Sequence, residues 1–295
     1  MLSLLVNEIY VMPRKLTQAH LDAYKRGGDL FTIFDCIKND PELSFEIRID
    51  DEVFIYFNKK KILSIKKGNK IEPLSNGYYK DCNGPSIDIS NRIHWKRAKD
   101  VKRYLREAKF LAYRKQRKQE FELQQNYSLG NRDCNNRFIV VDMEWQFSQK
   151  GMEEQIKVTR PDLVIVDLKP NVNNELDIYL AEVKLGTCAL DDKSGLLDHV
   201  YSTQGIIGST FACNSLREDV MNIIKQKHEL GILTGSLPDL TLLATKPKMM
   251  FILGHRGNEE KNVLENKMAS VLQKIPTNME QPIVIYRDTL IRLEP

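Results

Sequence analysis

At 295 residues, with 42% hydrophobic and 28% charged residues, the chain can bury a sizeable core as one elaborated domain or two modest ones. Five scattered cysteines (Cys36, Cys82, Cys134, Cys188, Cys213) with no C-x-x-C pair argue against a zinc ribbon or disulfide scaffold and for reduced thiols in the cytoplasm. The net charge of +4 hides an asymmetry: between Trp95 and Gln119 eleven Lys or Arg stand against two acids, an excess of +9 that leaves −5 for the rest.

Residues 1–90 read as a separate small α+β module. Lys15 to Ile37 has helical periodicity interrupted at Gly27-Gly28. Phe45, Ile47 and Ile49 then alternate, Asp50-Asp51 turns, and Val53, Ile55 and Phe57 alternate again. Asn58-Lys59-Lys60 turns into Ile62 to Ile65, which completes a meander. Gly68 to Asn91 is rich in Asn, Gly, Ser and Pro and reads as a linker. The run Leu2 to Val6 is too short for a secretory signal, and no stretch approaches the roughly 20 apolar residues of a spanning helix.

Residues 91–295 form the second piece. Trp95 to about Asn126 reads as one long helix with an apolar arc of Val101, Tyr104, Leu105, Ala108, Leu111 and Ala112. Strands are expected over Arg137–Phe147, Val158–Leu168 and Leu176–Leu185, then helices over Ser194–Ile207 and Ser215–Leu230. A strand over Lys248–Gly254, a helix over Asn258–Lys274 and a strand over Pro282–Arg287 complete the order α-β-β-β-α-α-β-α-β. That order implies an α/β sheet with a meander at its start and helices on both faces.

The chemistry sits on the second and third strands of this piece. Glu182 and Lys184 share a face near the end of an apolar strand, and Asp162 begins the one before. A hairpin through Pro170 to Asn174 would bring Asp162 beside both. Asp162, Glu182 and the Val183 carbonyl are hard oxygen donors for Mg²⁺. Lys184 is then placed to orient or deprotonate a water, or to stabilise developing charge. The spacing does not select this set, because Asp239 and Glu259 repeat the same twenty-residue step and acid-x-Lys recurs elsewhere. Strand context does select it. The plainer alternative is an ion pair on a sheet edge.

Asp142 and Glu144 share a face of the first strand and are candidate accessories, with a solvent-exposed strand end as the alternative. On the helical wheel drawn from Val101, Glu122 points inward and is the candidate outer metal ligand, while Glu120 points away. Lys99, Lys102, Arg103 and Arg106 lead the candidate phosphate grip, with Phe110 and Tyr113 placed to stack on bases. A solvated helix face is the alternative. Gly254-His255-Arg256-Gly257 could hold an anion at a helix N-terminus or be an ordinary loop. His199 is a second candidate for the site, or a packing residue.

Pro161-Asp162 and Glu182-Val183-Lys184 on a hairpin, after a helix bearing an acid, resemble the PD-(D/E)xK phosphodiesterase superfamily of restriction endonucleases and Holliday-junction resolvases. The resemblance covers roughly Trp95 to His255. Ser194 to His199 and the strand ending Asp142-Met143-Glu144 are similar to a bacterial branch of it. The Gln-x-x-x-Tyr element of the RecB-like branch is not matched, since here Tyr201 precedes Gln204.

The resemblance implies a restriction-endonuclease-like mixed sheet flanked by helices. It implies Asp162 and Glu182 as metal ligands, Lys184 as the catalytic lysine, Glu122 as the helix-borne acid and Arg160 as an accessory. The expectation is a Mg²⁺- or Mn²⁺-dependent nuclease acting on DNA before RNA, with no membrane partner and a homodimer by analogy. A non-catalytic nucleic-acid-binding or assembly protein on the same fold is the competing expectation.

Overall fold

The computed structural model describes residues 13–115, 119–147, 160–187 and 195–289. The structure is mixed α/β and built on two sheets. The first is an antiparallel meander of β1 (Ser44–Arg48), β2 (Glu52–Phe57), β3 (Lys60–Lys66) and β4 (Lys70–Pro73), in that spatial order. Alternation of Phe45 and Ile47 with Glu46 and Arg48 sets the strand period. α1 (Gln18–Tyr24) starts at Thr17, whose side chain accepts from the His20 N–H, and α2 (Phe31–Lys38) follows a turn. Gly27 in that turn has φ +90°, where an L side chain is strained.

The second sheet runs β5 (Phe138–Met143), β6 (Leu163–Asp167), β7 (Ile178–Leu185), β8 (Lys248–His255) and β9 (Ile283–Asp288). β5, β6 and β7 are antiparallel neighbours, whereas β7, β8 and β9 are parallel. Parallel pairs need long crossovers, and these are carried by α6 (Leu196–Ile207) with α7 (Thr210–Glu229), then by α8 (Gly257–Gln273). α5 (Gln119–Gly130) lies against the opposite face, where Leu123 and Tyr127 pack on Leu163, Ile165, Tyr179, Ala181 and Val183.

The expected element order in the second piece is therefore observed, with helices on both faces of the sheet. Two expectations need correction. The stretch 68–91 is not a plain linker, because β4 pairs with β3 and Ile71, Leu74 and Ile89 enter the core. Three apolar residues spaced that widely leave no periodic signal. The Leu74 N–H donates to the Tyr104 hydroxyl at 2.7 Å, and that hydroxyl donates to the Ile62 carbonyl at 2.8 Å. The segment is thereby tied to α4 (Ala98–Lys115), which follows the single turn of α3 (Arg92–Trp95).

Core packing continues across residue 90. One core cluster contains Ile47, Val53 and Ile55 of the first sheet, Val164 and Leu180 of the second, and Leu216 and Val220 of α7. The inner face of a four-stranded meander is a large apolar surface, and here the second piece covers it.

The long helix read from Trp95 to Asn126 is α4 followed by α5; residues 116–118 between them lie outside the described residues. Val101, Tyr104, Leu105, Ala108, Leu111 and Ala112 are buried, as the periodicity of α4 requires. The same wheel fails on α5, whose buried residues are Gln124, Gln125 and Ser128 on the side opposite Val101. No helix among the described residues is long and apolar enough to cross a membrane.

Candidate functional site

The hairpin geometry expected of β6 and β7 is present. Leu163 pairs with Ala181 and Val164 with Leu180, so one more step of the register sets Asp162 opposite Glu182. Glu182 and Lys184 lie on the same face as Ile178 and Leu180, where the apolar run of β7 gives out. Beyond Ala181 the β6 side of β7 is no longer paired with strand backbone. The Asp162 carboxylate takes up that position, and its Oδ2 accepts the Val183 N–H at 2.9 Å. In an extended strand the N–H and C=O of one residue point the same way, so the Val183 carbonyl faces this side too.

Lys184 Nζ donates to Glu182 Oε1 at 2.7 Å, and His199 Nε2 of α6 lies 3.3 Å from the same oxygen. His199 thus belongs to the site rather than to packing alone. Its α6 position was open from sequence, because only the crossover geometry puts α6 over the end of β7. Asp162 and Glu182 are both buried. Burial, and next the Asp162 charge, push Glu182 up to about 8. Burial opposes the charge on Lys184, but Glu182 beside it more than offsets this and the net shift is upward. Burial and the Lys184 charge lower the His199 pKa.

Asp162, Glu182 and the Val183 carbonyl match in chemistry what a hard divalent cation takes. Each of these buried acids carries a lysine at 2.7 Å, Lys59 on Asp162 and Lys184 on Glu182, as buried charges require. Among the described residues no three His, Cys, Asp or Glu gather in a metal-holding group. Water and phosphate oxygens would therefore complete any coordination, as is usual for Mg²⁺.

The other sequence candidates divide. Glu144 reaches the site: Lys59 Nζ bridges it at 3.2 Å and Asp162 Oδ1 at 2.7 Å. Arg160 Nη2 lies 3.6 Å from Glu144 and is otherwise exposed. Asp142 does not reach it. A β-bulge between Val140 and Asp142 turns Asp142 off the face of Phe138 and Val140, and the left-handed backbone of Glu144 (φ 56°) breaks the alternation between the two acids. Asp142 instead accepts from Arg14 at 2.9 Å and from Arg48 at 2.5 Å in a separate buried cluster.

Glu122 lines a cavity of about 530 Å³ beside the strand ends, with Leu185, Arg256 and Arg287. Glu120, which the wheel had pointing away, is near enough for its charge to raise the Lys184 pKa. Lys59 was not singled out from sequence. It sits in a polar turn far from the motif, and no local pattern ties it there.

Lys99, Lys102, Arg103 and Arg106 are all exposed on α4, as is Phe110. Part of the basic run is neutralised locally: Arg103 pairs with Glu107 at 3.0 Å, and Lys109 turns inward to Asp40 and Glu42. Arg117 and Lys118 lie outside the described residues. The C-terminal end of α4 adjoins the site, since its Ala112 carbonyl accepts from Lys60 Nζ at 2.7 Å, one residue from Lys59. In the Gly254 to Gly257 loop the Arg256 N–H donates to the Glu260 carboxylate, so the chain's own acid takes the helix N-terminus. No family model, curated protein or solved structure matches the chain.

Proposed function

We propose that the protein is a divalent-metal-dependent nuclease that hydrolyses phosphodiester bonds in DNA, on a restriction-endonuclease-like sheet. One observation carries this reading. Asp162 at the start of β6 meets Glu182, Val183 and Lys184 at the end of β7, with Asp162 bonded to the Val183 N–H. Strand context had to bring these residues together for the motif to mean anything, since the spacing recurs elsewhere in the chain.

Asp162, Glu182 and the Val183 carbonyl would hold Mg²⁺ or Mn²⁺. When bound, the ion would acidify a water and neutralise charge on the phosphoryl oxygens. Lys184, whose pKa lies above its usual value, is an ammonium at neutral pH. Its role is therefore to donate to, and stabilise, charge developing on the phosphate rather than to remove a proton. Glu144 and Lys59 fix the other side of Asp162. The exposed cations of α4 would guide the backbone of the substrate toward a helix end that adjoins the site. DNA comes before RNA because the chain has no legible RNA-binding module.

The test is cleavage of supercoiled and linear DNA with Mg²⁺ or Mn²⁺ against chelator. Wild type should cleave only with metal, and Asp162→Ala and Lys184→Ala should not cleave while keeping wild-type circular dichroism. Undiminished cleavage by both variants removes the assignment.

The second reading is a non-catalytic nucleic-acid-binding or assembly protein. It is favoured by one fact: both Asp162 oxygens are already engaged, by Lys59 and by the Val183 N–H. It predicts salt-sensitive DNA binding without metal uptake.

A further inference from the structure

Lys59 reaches the carboxylates from a part of the chain that carries no motif. It is the second residue of the two-residue turn between β2 and β3. Asn58 and Lys59 both have left-handed backbones, with φ 47° and 59°. That is the hairpin geometry that favours Asn-Gly. A lysine at the second position accepts a steric cost that glycine would avoid. Strain retained at one residue points to a use for its side chain.

The surroundings hold this turn in place. The Lys59 N–H donates to Gln125 Oε1 at 3.1 Å, and Gln125 Nε2 donates back to the Tyr56 carbonyl at 3.1 Å. Lys60 is pinned to the Ala112 carbonyl at 2.7 Å. The Lys59 ammonium lies 5.1 Å from the Phe121 ring centroid and reaches Asp162 Oδ1 at 2.7 Å and Glu144 Oε1 at 3.2 Å. The other Asp162 oxygen takes the Val183 N–H. A divalent cation on Asp162 Oδ1 would therefore meet an ammonium already seated there.

We propose that Lys59 is a resident cation of the carboxylate site, which holds Asp162 and Glu144 in the metal-free protein and competes with the divalent ion for Asp162. The inference rests on the metal-dependent reading above and deepens it. Residues of the first sheet then set how tightly the second sheet takes metal. A lysine suits the part: its single charge sits on a flexible stem and can withdraw, whereas a guanidinium would grip the carboxylate with two donors. A plain structural tether between the sheets is the alternative that the test must separate.

The test is Mn²⁺ binding by calorimetry on the full chain, at fixed pH and ionic strength, for wild type, Lys59→Met, Lys59→Arg and Asp162→Asn. Removing a unit charge in direct contact with a ligand oxygen should tighten Mn²⁺ binding about tenfold or more in Lys59→Met. Lys59→Arg, which keeps the tether, should weaken it by about the same factor, and Asp162→Asn should lose it. Should Lys59→Met fail to fold, the Lys59→Arg result decides.

If wild type binds Mn²⁺ and both Lys59 variants bind it equally well, the competition is wrong while the metal reading stands. The same holds if Lys59→Met binds it more weakly. Absence of Mn²⁺ binding at millimolar concentration in folded wild type and folded Lys59→Met overturns both.

Discussion

Asp142 on β5 and Glu144 just past its end stand two residues apart, yet each belongs to a different ionic cluster, and the two clusters are built in different ways. Asp142 meets Arg14 and Arg48. Around them, Asp219 accepts from the Arg14 N–H and from Trp145 Nε1, and Glu46 accepts from Lys227 at 2.7 Å. All of these ionised groups are buried, three acids against three bases. Glu144 instead meets Lys59 with Asp162, and Glu182 meets Lys184 and His199.

Burial works against the charge on Asp142 and on Glu182 alike. At Asp142 the two guanidiniums outweigh it and the net shift is downward. At Glu182 burial and the Asp162 charge outweigh Lys184 and Lys59, and the carboxyl is pushed up to about 8. The first cluster has the positive charge it needs, in forks that fix geometry. The second is held mainly by lysines, single charges on flexible stems that a further cation can displace. The bulge before Asp142 and the left-handed backbone of Glu144 together send one acid to each cluster.

The contrast is tested most directly by removing one member of each cluster. Lys184→Met should lower metal-dependent cleavage about 10³-fold, since a charge aimed at the transition state is worth roughly 10²–10³ or more, and should leave urea unfolding near wild type. Asp142→Ala strands two buried guanidiniums and should cost about 3–5 kcal/mol of stability in urea unfolding. If Lys184→Met unfolds the protein and Asp142→Ala leaves it stable but inactive, the two roles are reversed.

A smaller effect separates the clusters by pH. Burial lifts the Asp219 carboxyl from 3.8 to about 6 in the folded protein. Folding then favours its protonated form, so its contribution is fully present below about pH 4 and is lost as pH rises through about 6. Relative to Asp219→Asn, which does not titrate there, wild type should lose about 3 kcal/mol across that window, at 1.36 kcal/mol per unit. Urea unfolding of both proteins at pH 4, 5, 6 and 7 measures it. A difference that grows with pH would mean that Arg14 and Trp145 stabilise the anion more than burial opposes it.

Much of the second sheet was legible because strands announce themselves by period and because β6 and β7 are close in sequence. Asp162, Glu182, Val183 and Lys184 were found for that reason: one short hairpin sets their register. What failed to show depended on long-range or sub-periodic features. A single bulge turned Asp142 away. The wheel of α4 was carried into α5, where Gln124, Gln125 and Ser128 face inward instead. Lys59 is 103 positions from Asp162, and only the packing of the first sheet on the second brings it in. β4 and Ile89 were read as linker because Asn, Gly, Ser and Pro outnumber the few apolar residues that anchor them. Composition dominates where contacts are sparse.

The smallest effect concerns α4, the surface that neither ionic cluster uses. Lys99, Lys102, Arg103 and Arg106 are exposed, but Arg103 already has Glu107 at 3.0 Å. An exposed pair of this kind is weak, so a phosphate can displace it. If Arg103 and Arg106 each neutralise one phosphate, Arg103→Gln/Arg106→Gln should reduce the slope of log K against log[salt] by about 2, at roughly 0.9 per contact on duplex DNA. DNA binding measured across a salt series without metal gives that slope. Stability should be unchanged, because neither side chain is buried. A slope equal to wild type would mean that the excess of basic charge on this helix is a solvated face, and the approach to the carboxylates would then have to be sought elsewhere.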